Sequence, residues 1–592
     1  MAGSAAAVIL DLSPGLGARF FRYWNQALSA ASGAAPGSVR LHYVLQIDAE
    51  DAAGFAQALR GAHPPGTACH QQAGELAAHC QRLDTVMQRV LLADGQVSLT
   101  LCVARHTRLL PELRLQADRV YCSTAWPWDR WTCKALARLC RWGAQLITDE
   151  PAGIPPRQVP AWAEAGFTIP QHLDPASSPA CVYAPAWWGK HTRARQPGRR
   201  PGQVAVVGAG LAGASVARAL AERGWRVSVF ERGPEAASGA SGLPAGLVVP
   251  HVSADDSPRS RLSRMGVRLM LAQLHRLLER GADWEPSGVL ERLLDDPRPE
   301  ACLWHAEAAW VRPAALVHAW LNHPLIRLHT GCSVACIHKH PEAPGQACWE
   351  LRDAQGAPLL GQSSRFDLVV LSHALMPGLL LPGAQGLPTD PAPGNWQLDP
   401  TAHDQMQSCA PVYGTLSLGP CDVPLPPQFP AQPVNGHGSL IPAVPLNGVL
   451  HWMSGSTFEN DAQAMQEVAG QQRANLRKLQ ALLPEVATCL EPAFEAAIAA
   501  GSQGTAAARH WQSSRCVSQD RMPLVGPIED ATSAGVWISA AMGARGLSFA
   551  ALCAQLLVAE LHGEPWPLPL TLARPLRSTR VRRKRGKPLA ID

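Results

Sequence analysis

Gly208, Gly210 and Gly213 stand in the spacing Gly-x-Gly-x-x-Gly, and Glu231 follows them. Chemistry that uses a dinucleotide needs this set. The first glycine permits a tight turn, the second lets backbone approach a pyrophosphate, and the third lets a helix pack closely on a strand. The intervening Ala209, Leu211 and Ala212 are small or apolar, as a turn running straight into a helix requires. The pyrophosphate then sits on the positive end of that helix. An acid about 20 residues further on accepts hydrogen bonds from a ribose diol and argues against a 2′-phosphate. Arg232 follows it directly. A second glycine turn, Gly543-Ala544-Arg545-Gly546-Leu547-Ser548, leads into an apolar helical stretch, Phe549 to His562, and makes a second anion site.

The elements that must position these residues are legible around them. Val204 to Val207 is an apolar run with the length of a buried parallel strand, Ala214 to Arg223 is a helix former closed by Gly224, and Arg226 to Phe230 is a second strand. Together they form one β-α-β unit. After it, residues 237–246 are a run of small residues that includes Gly242 and Gly246 and suits close approach to a flat ring or its phosphates. Arg261 to Leu278 has the apolar spacing of a core helix, Ile326 to Ile337 reads as strand, turn and strand, and Asp367 to Ser372 as a strand returning to a central sheet. From about 376 to 510 short β-like pieces with turns predict a mainly antiparallel substrate-binding subdomain, with a helix over Ala462 to Leu483. Gly535 to Ala540 is one more strand.

Ahead of this lies a different alternation over residues 1–186. Strands are expected at Val8 to Leu12, Val39 to Leu45, Gln96 to Val103, Arg119 to Cys122 and Gln145 to Thr148, with helices at Gly17 to Ala30 and Thr132 to Cys140. This predicts a second doubly wound α/β domain. Its first turn holds Asp11, Gly15 and Gly17 but places Ser13 and Pro14 where a nucleotide-binding loop would carry glycine. Residues 187–202 are a basic, Pro/Gly-rich linker, and residues 574–592 a basic tail.

The whole chain of 592 residues is long enough for two or more domains, and its 47% hydrophobic and 17% charged residues are those of a soluble globular protein. Sixteen cysteines occur without a CxxC pair or a zinc-type Cys/His cluster, which reads as reduced thiols in a cytoplasmic protein without a metal site. Residues 1–15 lack the basic leader of a secretory signal, and the apolar stretch Gly535 to Leu561 carries Arg545 and several glycines, so no membrane span is expected. The net charge of +5 is concentrated in Lys190 to Arg200 and Arg577 to Lys587, clusters that suit a phosphate backbone.

The β-α-β unit, the late glycine turn and the segment Arg515-Cys516-Val517-Ser518-Gln519-Asp520-Arg521-Met522-Pro523-Leu524-Val525-Gly526 together resemble the D-amino acid oxidase and glycine oxidase group of flavoenzymes. An α/β domain of methyltransferase type ahead of such an oxidase is similar to the family of bifunctional tRNA 5-methylaminomethyl-2-thiouridine biosynthesis proteins. Residues 41–44, 165–168 and 310–313 carry that likeness further. The resemblance implies an α/β fold: a Rossmann-like methyltransferase-type domain, then an FAD-binding Rossmann domain (203–573) with the inserted antiparallel subdomain. It implies FAD held by Gly208 to Gly213, Glu231, Arg232, Gly242, Gly246, Val334, Gly543, Gly546 and Leu547. It implies a tRNA substrate whose carboxymethyl group is removed oxidatively at the wobble uridine. Arg515 falls where the family's arginine pairs with the substrate carboxylate, and Arg545 at a flavin or substrate contact. A salt bridge from Arg515 to Asp520 is the structural alternative, and His373 and His437 are read as structural.

S-adenosylmethionine belongs to the family's other half. Here that half departs from the pattern: Ser123-Thr124-Ala125 replaces an Asp-Gly-Phe segment, Ile47 stands at the ribose-binding acid with Asp48 beside it, and the Asp11 turn is glycine-poor. The turn also lies near the first residue, where the family usually carries a further segment. A fold kept without its methylation chemistry is the expectation. A free amino acid oxidase of glycine or sarcosine type and a non-catalytic tRNA-binding protein are the other readings, and the oligomeric state stays open.

Overall fold

The computed structural model describes residues 6–13, 15–29, 41–80, 83, 86–149, 154–169, 180–186, 198–295, 298, 301–340, 348–361, 365–374, 409–421, 425–500, 508–528 and 535–580. The chain divides into two compact units. One comprises residues 1–201, 222–224 and 555–574, and the other residues 202–221, 225–554 and 575–592. Most of the linker (187–197), the start of the range expected to be antiparallel (375–408) and residues 581–592 of the tail lie outside the described residues.

In the first unit an eight-stranded sheet carries five parallel strands in the spatial order Val97–Val103, Leu41–Ile47, Ala7–Asp11, Ala117–Cys122, Cys140–Thr148. Met87–Leu92 pairs antiparallel at one edge, and Ala180–Tyr183 and Phe167–Thr168 at the other. Leu41–Ile47 is buried at every position, as a parallel strand covered on both faces must be. The strand order reverses at Ala7–Asp11, so the crevice beyond its carboxyl end is the place where such a fold binds ligands. Asp11 ends that strand.

In the second unit a six-stranded sheet runs Ile326–His329, Arg226–Phe230, Gln203–Val207, Leu368–Leu371, Val536–Ala540, Leu524–Pro527, parallel except for the last pair. Its order reverses at Gln203–Val207, which delivers Gly208. The following helix is Leu211–Ala221, starting three residues before the expected Ala214. Gly213 belongs inside it: a Cβ there would lie 1.8 Å from the Gly208 carbonyl oxygen. The late helix likewise starts at Gly546 rather than Phe549. By length and composition Gly543–His562 is apolar enough to cross a membrane, but most of it is buried within the fold as a core helix.

The mainly antiparallel sheet has seven strands in the order Cys302–His305, Val289–Arg292, Val434–Gly436, Gly438–Leu446, Val449–Gly455, Ala410–Pro420, Arg509–Val517. It therefore draws strands from before 376, and its last strand runs past 510, because pairing across the sheet rather than nearness in sequence recruits them. One face is covered by the helices Val468–Leu482 and Pro484–Ala500, through Leu440, Trp452, Leu476, Leu479 and Phe494. The second helix was not expected. The opposite face carries Leu416, Leu418, Ile441 and Met453, packed with Trp511, Ala245 and Trp310. Residues 574–580 are folded rather than tail-like: Ser578 is buried and its N–H donates to the Val525 carbonyl.

Candidate functional site

Gly208 has a φ of 104°, and a Cβ there would come within 3.0 Å of the His373 backbone, so only glycine turns the chain at this point. The Glu231 carboxylate accepts from the N–H groups of Ala209 and Gly233, each at 2.9 Å, and from Ser238 Oγ at 3.2 Å. These bonds fix the carboxylate across the mouth of the turn while leaving it half-exposed. Arg232 is exposed beside it. Ser241 Oγ accepts from Leu211 N–H at 2.9 Å and binds the run of small residues to the helix start. In that run a Cβ on Gly242 would lie 2.7 Å from the Ala237 carbonyl oxygen. Val334 packs on the core that contains Val207 and Phe230, just past a loop whose Cys332 N–H donates to the Glu231 carbonyl at 2.9 Å.

The late turn joins this cradle. A Cβ on Gly546 would lie 3.3 Å from Leu211 Cδ1, and one on Gly246 would lie 2.9 Å from Leu547 Cδ1. The starts of the two helices and the small-residue run thus converge, with positive helix ends toward one place. Gly543 has a φ of 57°, and a Cβ there would lie 3.3 Å from Val517 Cγ1, two residues along the strand from Arg515. The residues expected to hold FAD are therefore brought together, and glycines line the cradle at points a side chain would fill. They fit a flavin dinucleotide: Glu231 for the ribose, and the turns at Gly208–Gly213 and Gly543–Gly546 for the phosphates.

Arg515 lies on the last strand of the seven-stranded sheet. Its guanidinium contacts Ser456 Oγ and the Thr457 carbonyl oxygen, both at 3.5 Å, and lies over the Phe458 ring with Cζ 4.5 Å from the centroid. No carboxylate is among these contacts, and burial lowers the guanidinium pKa. Asp520 is not its partner. That carboxylate is gripped by Arg580, Nη2–Oδ1 2.6 Å and Nε–Oδ2 2.7 Å, and accepts from Ser518 Oγ and Met522 N–H. Gly414, across the sheet, makes room for the arginine: a Cβ there would lie 2.6 Å from Arg515 Nη2. A glycine inside a strand marks such a close approach, a signal present in the sequence but not used. Arg545 ends the late turn; burial lowers its pKa, reinforced by Arg259 and Arg521 and opposed by Glu291. Exposed His437 pairs with Asp295 at 3.0 Å.

The corresponding crevice of the first unit is arranged differently. Gly15 and Gly17 hold positive φ, at 51° and 78°. The Asp11 carboxylate is fully buried and already answered by Arg19 Nη1 at 2.8 Å, by a short hydrogen bond from Tyr43 Oη and by Ser13 N–H. Arg19 also donates to the Ser13 carbonyl at 3.0 Å and to Asp149 Oδ1 at 2.6 Å, and its Cζ lies 4.1 Å from the Tyr121 ring centroid. The Ser123 and Thr124 carbonyls are tied by Trp128 and Gln158, and Asp48 accepts from Gln46. A sulfonium cofactor would meet a cation here instead of a free carboxylate. These residues do not fit S-adenosylmethionine.

Residues 203–294 and 290–560 match the family described as FAD dependent oxidoreductase. The chain is 38% identical to the tRNA 5-methylaminomethyl-2-thiouridine biosynthesis bifunctional protein MnmC of Albidiferax ferrireducens, over 86% of this chain and 83% of that protein. It is 35% identical to the protein of the same name from Polaromonas naphthalenivorans, over 97% and 90%. Among solved structures it is similar to glycine oxidase from Geobacillus kaustophilus, at 19% identity and a TM-score of 0.41, covering 61% of this chain and 94% of that one. With the flavin cradle in the second unit and the likeness extending through the first, the chain belongs to the FAD-dependent oxidoreductases and, along its length, to the MnmC family.

Proposed function

We propose that this protein acts on the wobble uridine of tRNA, removing the carboxymethyl group of 5-carboxymethylaminomethyl-(2-thio)uridine to leave the 5-aminomethyl form and glyoxylate. The observation that carries the proposal is Arg515, a half-buried guanidinium whose contacts among the described residues are long and neutral, on the strand that passes the flavin cradle. Such a group is stabilised by an incoming carboxylate, through paired charge-assisted hydrogen bonds. FAD, when bound, supplies the two-electron acceptor for the C–H bond between amine and carboxylate. Arg515 holds the carboxylate so that this C–H is presented in one orientation. Glu231 and the two glycine turns hold the cofactor, and the apolar layer of Leu416, Leu418 and Met453 with Trp310 packs the small-residue run onto the sheet that carries Arg515. Water then adds to the resulting imine carbon, and cleavage of the carbon–nitrogen bond gives the primary amine and glyoxylate.

Subsequent methylation is not assigned to this chain, because Arg19 and Tyr43 already occupy the Asp11 carboxylate. We place the protein in the cytoplasm, with its tRNA. The test is nucleoside mass spectrometry on tRNA bearing the carboxymethylaminomethyl group, incubated with the purified protein with and without S-adenosylmethionine. The aminomethyl nucleoside is expected under both conditions. Methylated product restricted to the reaction with S-adenosylmethionine overturns the assignment of the first unit. Untouched nucleoside alongside oxidised free glycine overturns the RNA substrate.

A further inference from the structure

Phe458 stands out in the second unit. Its neighbour Thr457 is 1% exposed, whereas Phe458 is 56% exposed, a large apolar side chain left open beside the carboxylate-binding arginine. Its backbone is not free to turn away. Thr457 N–H donates to the Thr415 carbonyl at 3.1 Å, and Thr415 N–H donates to Thr457 Oγ1 at 3.0 Å. On the other side Glu459 and Tyr413 exchange two backbone bonds, at 2.8 and 2.9 Å. Lys478, from the covering helix, donates to the Ser456 carbonyl at 2.8 Å and sets its Nζ 5.2 Å from the ring centroid. The ring thus has two cations beside it, on a clamped stretch just past the strand Val449–Gly455, with more than half of the residue's surface open.

We infer that Phe458 is the platform for the pyrimidine ring of the substrate, and that it selects N-carboxymethyl amines bearing a flat heterocycle over free glycine or sarcosine. The inference rests on the carboxylate role of Arg515 proposed above. In the substrate four bonds separate the carboxylate carbon from the pyrimidine carbon. A carboxylate on the guanidinium therefore leaves the pyrimidine within reach of a ring whose centre is 4.5 Å from Arg515 Cζ. Contact there is offset or edge-on, the geometry aromatic rings prefer. A clamped aromatic is already ordered, so the stack costs little conformational entropy. Glycine and sarcosine satisfy Arg515 but present no ring to Phe458.

The test uses the full-length holoenzyme and anaerobic flavin reduction by two substrates, N-(uracil-5-ylmethyl)glycine and sarcosine. The readout is the ratio of their kcat/KM values. In Phe458→Ala and Phe458→Leu the ratio is expected to fall about tenfold, within the range that loss of one base–aromatic stack produces, and in Phe458→Trp to return. Bound flavin in each variant reports folding. A ratio unchanged in the alanine variant, or restored by leucine, overturns the platform: the ring then serves only to position Arg515 or to fill space. A wild type that prefers sarcosine overturns it as well. A wild type whose flavin neither compound reduces brings down the carboxylate reading itself and the platform with it, an outcome distinct from the others.

Discussion

The two units each build a strand, a glycine-bearing turn and a helix at the point where strand order reverses, and they differ in what their charges are doing. In the first, Asp11 is met by Arg19 and Tyr43, and Arg19 in turn by Asp149. Buried Glu564 is gripped by Arg223 at 2.6 Å. In the second, Glu231 is fixed by backbone N–H groups yet half-open, and Arg515 is half-buried with no carboxylate partner among the described residues. A crevice becomes a site where the fold leaves a charge unanswered. When the partners come from the fold itself, the same architecture is only a scaffold.

The sharpest way to break this contrast is to remove the unanswered charge. Arg515→Ala is expected to lower kcat/KM for the carboxymethylaminomethyl substrate by about a hundredfold or more, since orientation is lost along with the charge, while the flavin stays bound. Steady-state kinetics with absorbance of the bound flavin checks both parts. Turnover within a few-fold of wild type removes Arg515 from the site. The reverse experiment belongs to the first unit. Arg19→Ala strands Asp11, which is fully buried, and is expected to cost about 3 kcal/mol of stability without changing oxidase turnover; denaturant unfolding measures it.

A gentler probe of the first unit is pH. Burial pushes His42 and His562 down to about 4, so neither is charged near neutrality, although His42 Nε2 lies 3.8 Å from Glu564. The unfolded chain takes up protons below about pH 6.5, and the folded chain refuses them until about 4. Stability therefore rises with pH across that window and is lost on acidification. Arg223 keeps Glu564 near 2 despite burial, so its contribution is lost only at lower pH. The stability of the first unit, followed by thermal unfolding, is expected to fall by roughly 4 kcal/mol between pH 7 and pH 5, about 2 from each histidine, and by about half as much in His42→Gln. A flat profile removes the buried neutral histidines.

Much of this was legible in the sequence because local rules govern it. The apolar runs at Ala7–Asp11, Gln203–Val207 and Leu368–Leu371 each had a strand's length, and the glycine spacing had one mechanical explanation. What escaped depends on partners distant in the chain. Asp520 had a near cation in Arg515, yet its partner is Arg580, from what read as a basic tail. Arg19 looked like an ordinary helix residue, and only the return of the chain at Asp149 shows that it closes the crevice. Gly414 and Phe458 drew no notice because alternation along one strand does not report what the next strand places opposite. The helix Pro484–Ala500 was hidden by its internal Pro492.

The smallest expected effect tests the half-open acid of the second cradle. Glu231 does two things: it ties Ala209 and Gly233 N–H groups together and leaves acceptor capacity for a ribose diol. Glu231→Gln keeps one acceptor oxygen and loses the charge, whereas Glu231→Ala removes both bonds and leaves the turn to water. If the carboxylate matters as a ligand as well as a brace, flavin affinity should fall about tenfold in the alanine variant and less in the glutamine variant, in line with one or two lost hydrogen bonds. Titration of the apoprotein by flavin fluorescence gives the two dissociation constants. Equal, wild-type affinity in both would mean that the turn needs no answer from Glu231, and the contrast between a braced but open acid and the closed Asp11 would then rest on Arg515 alone.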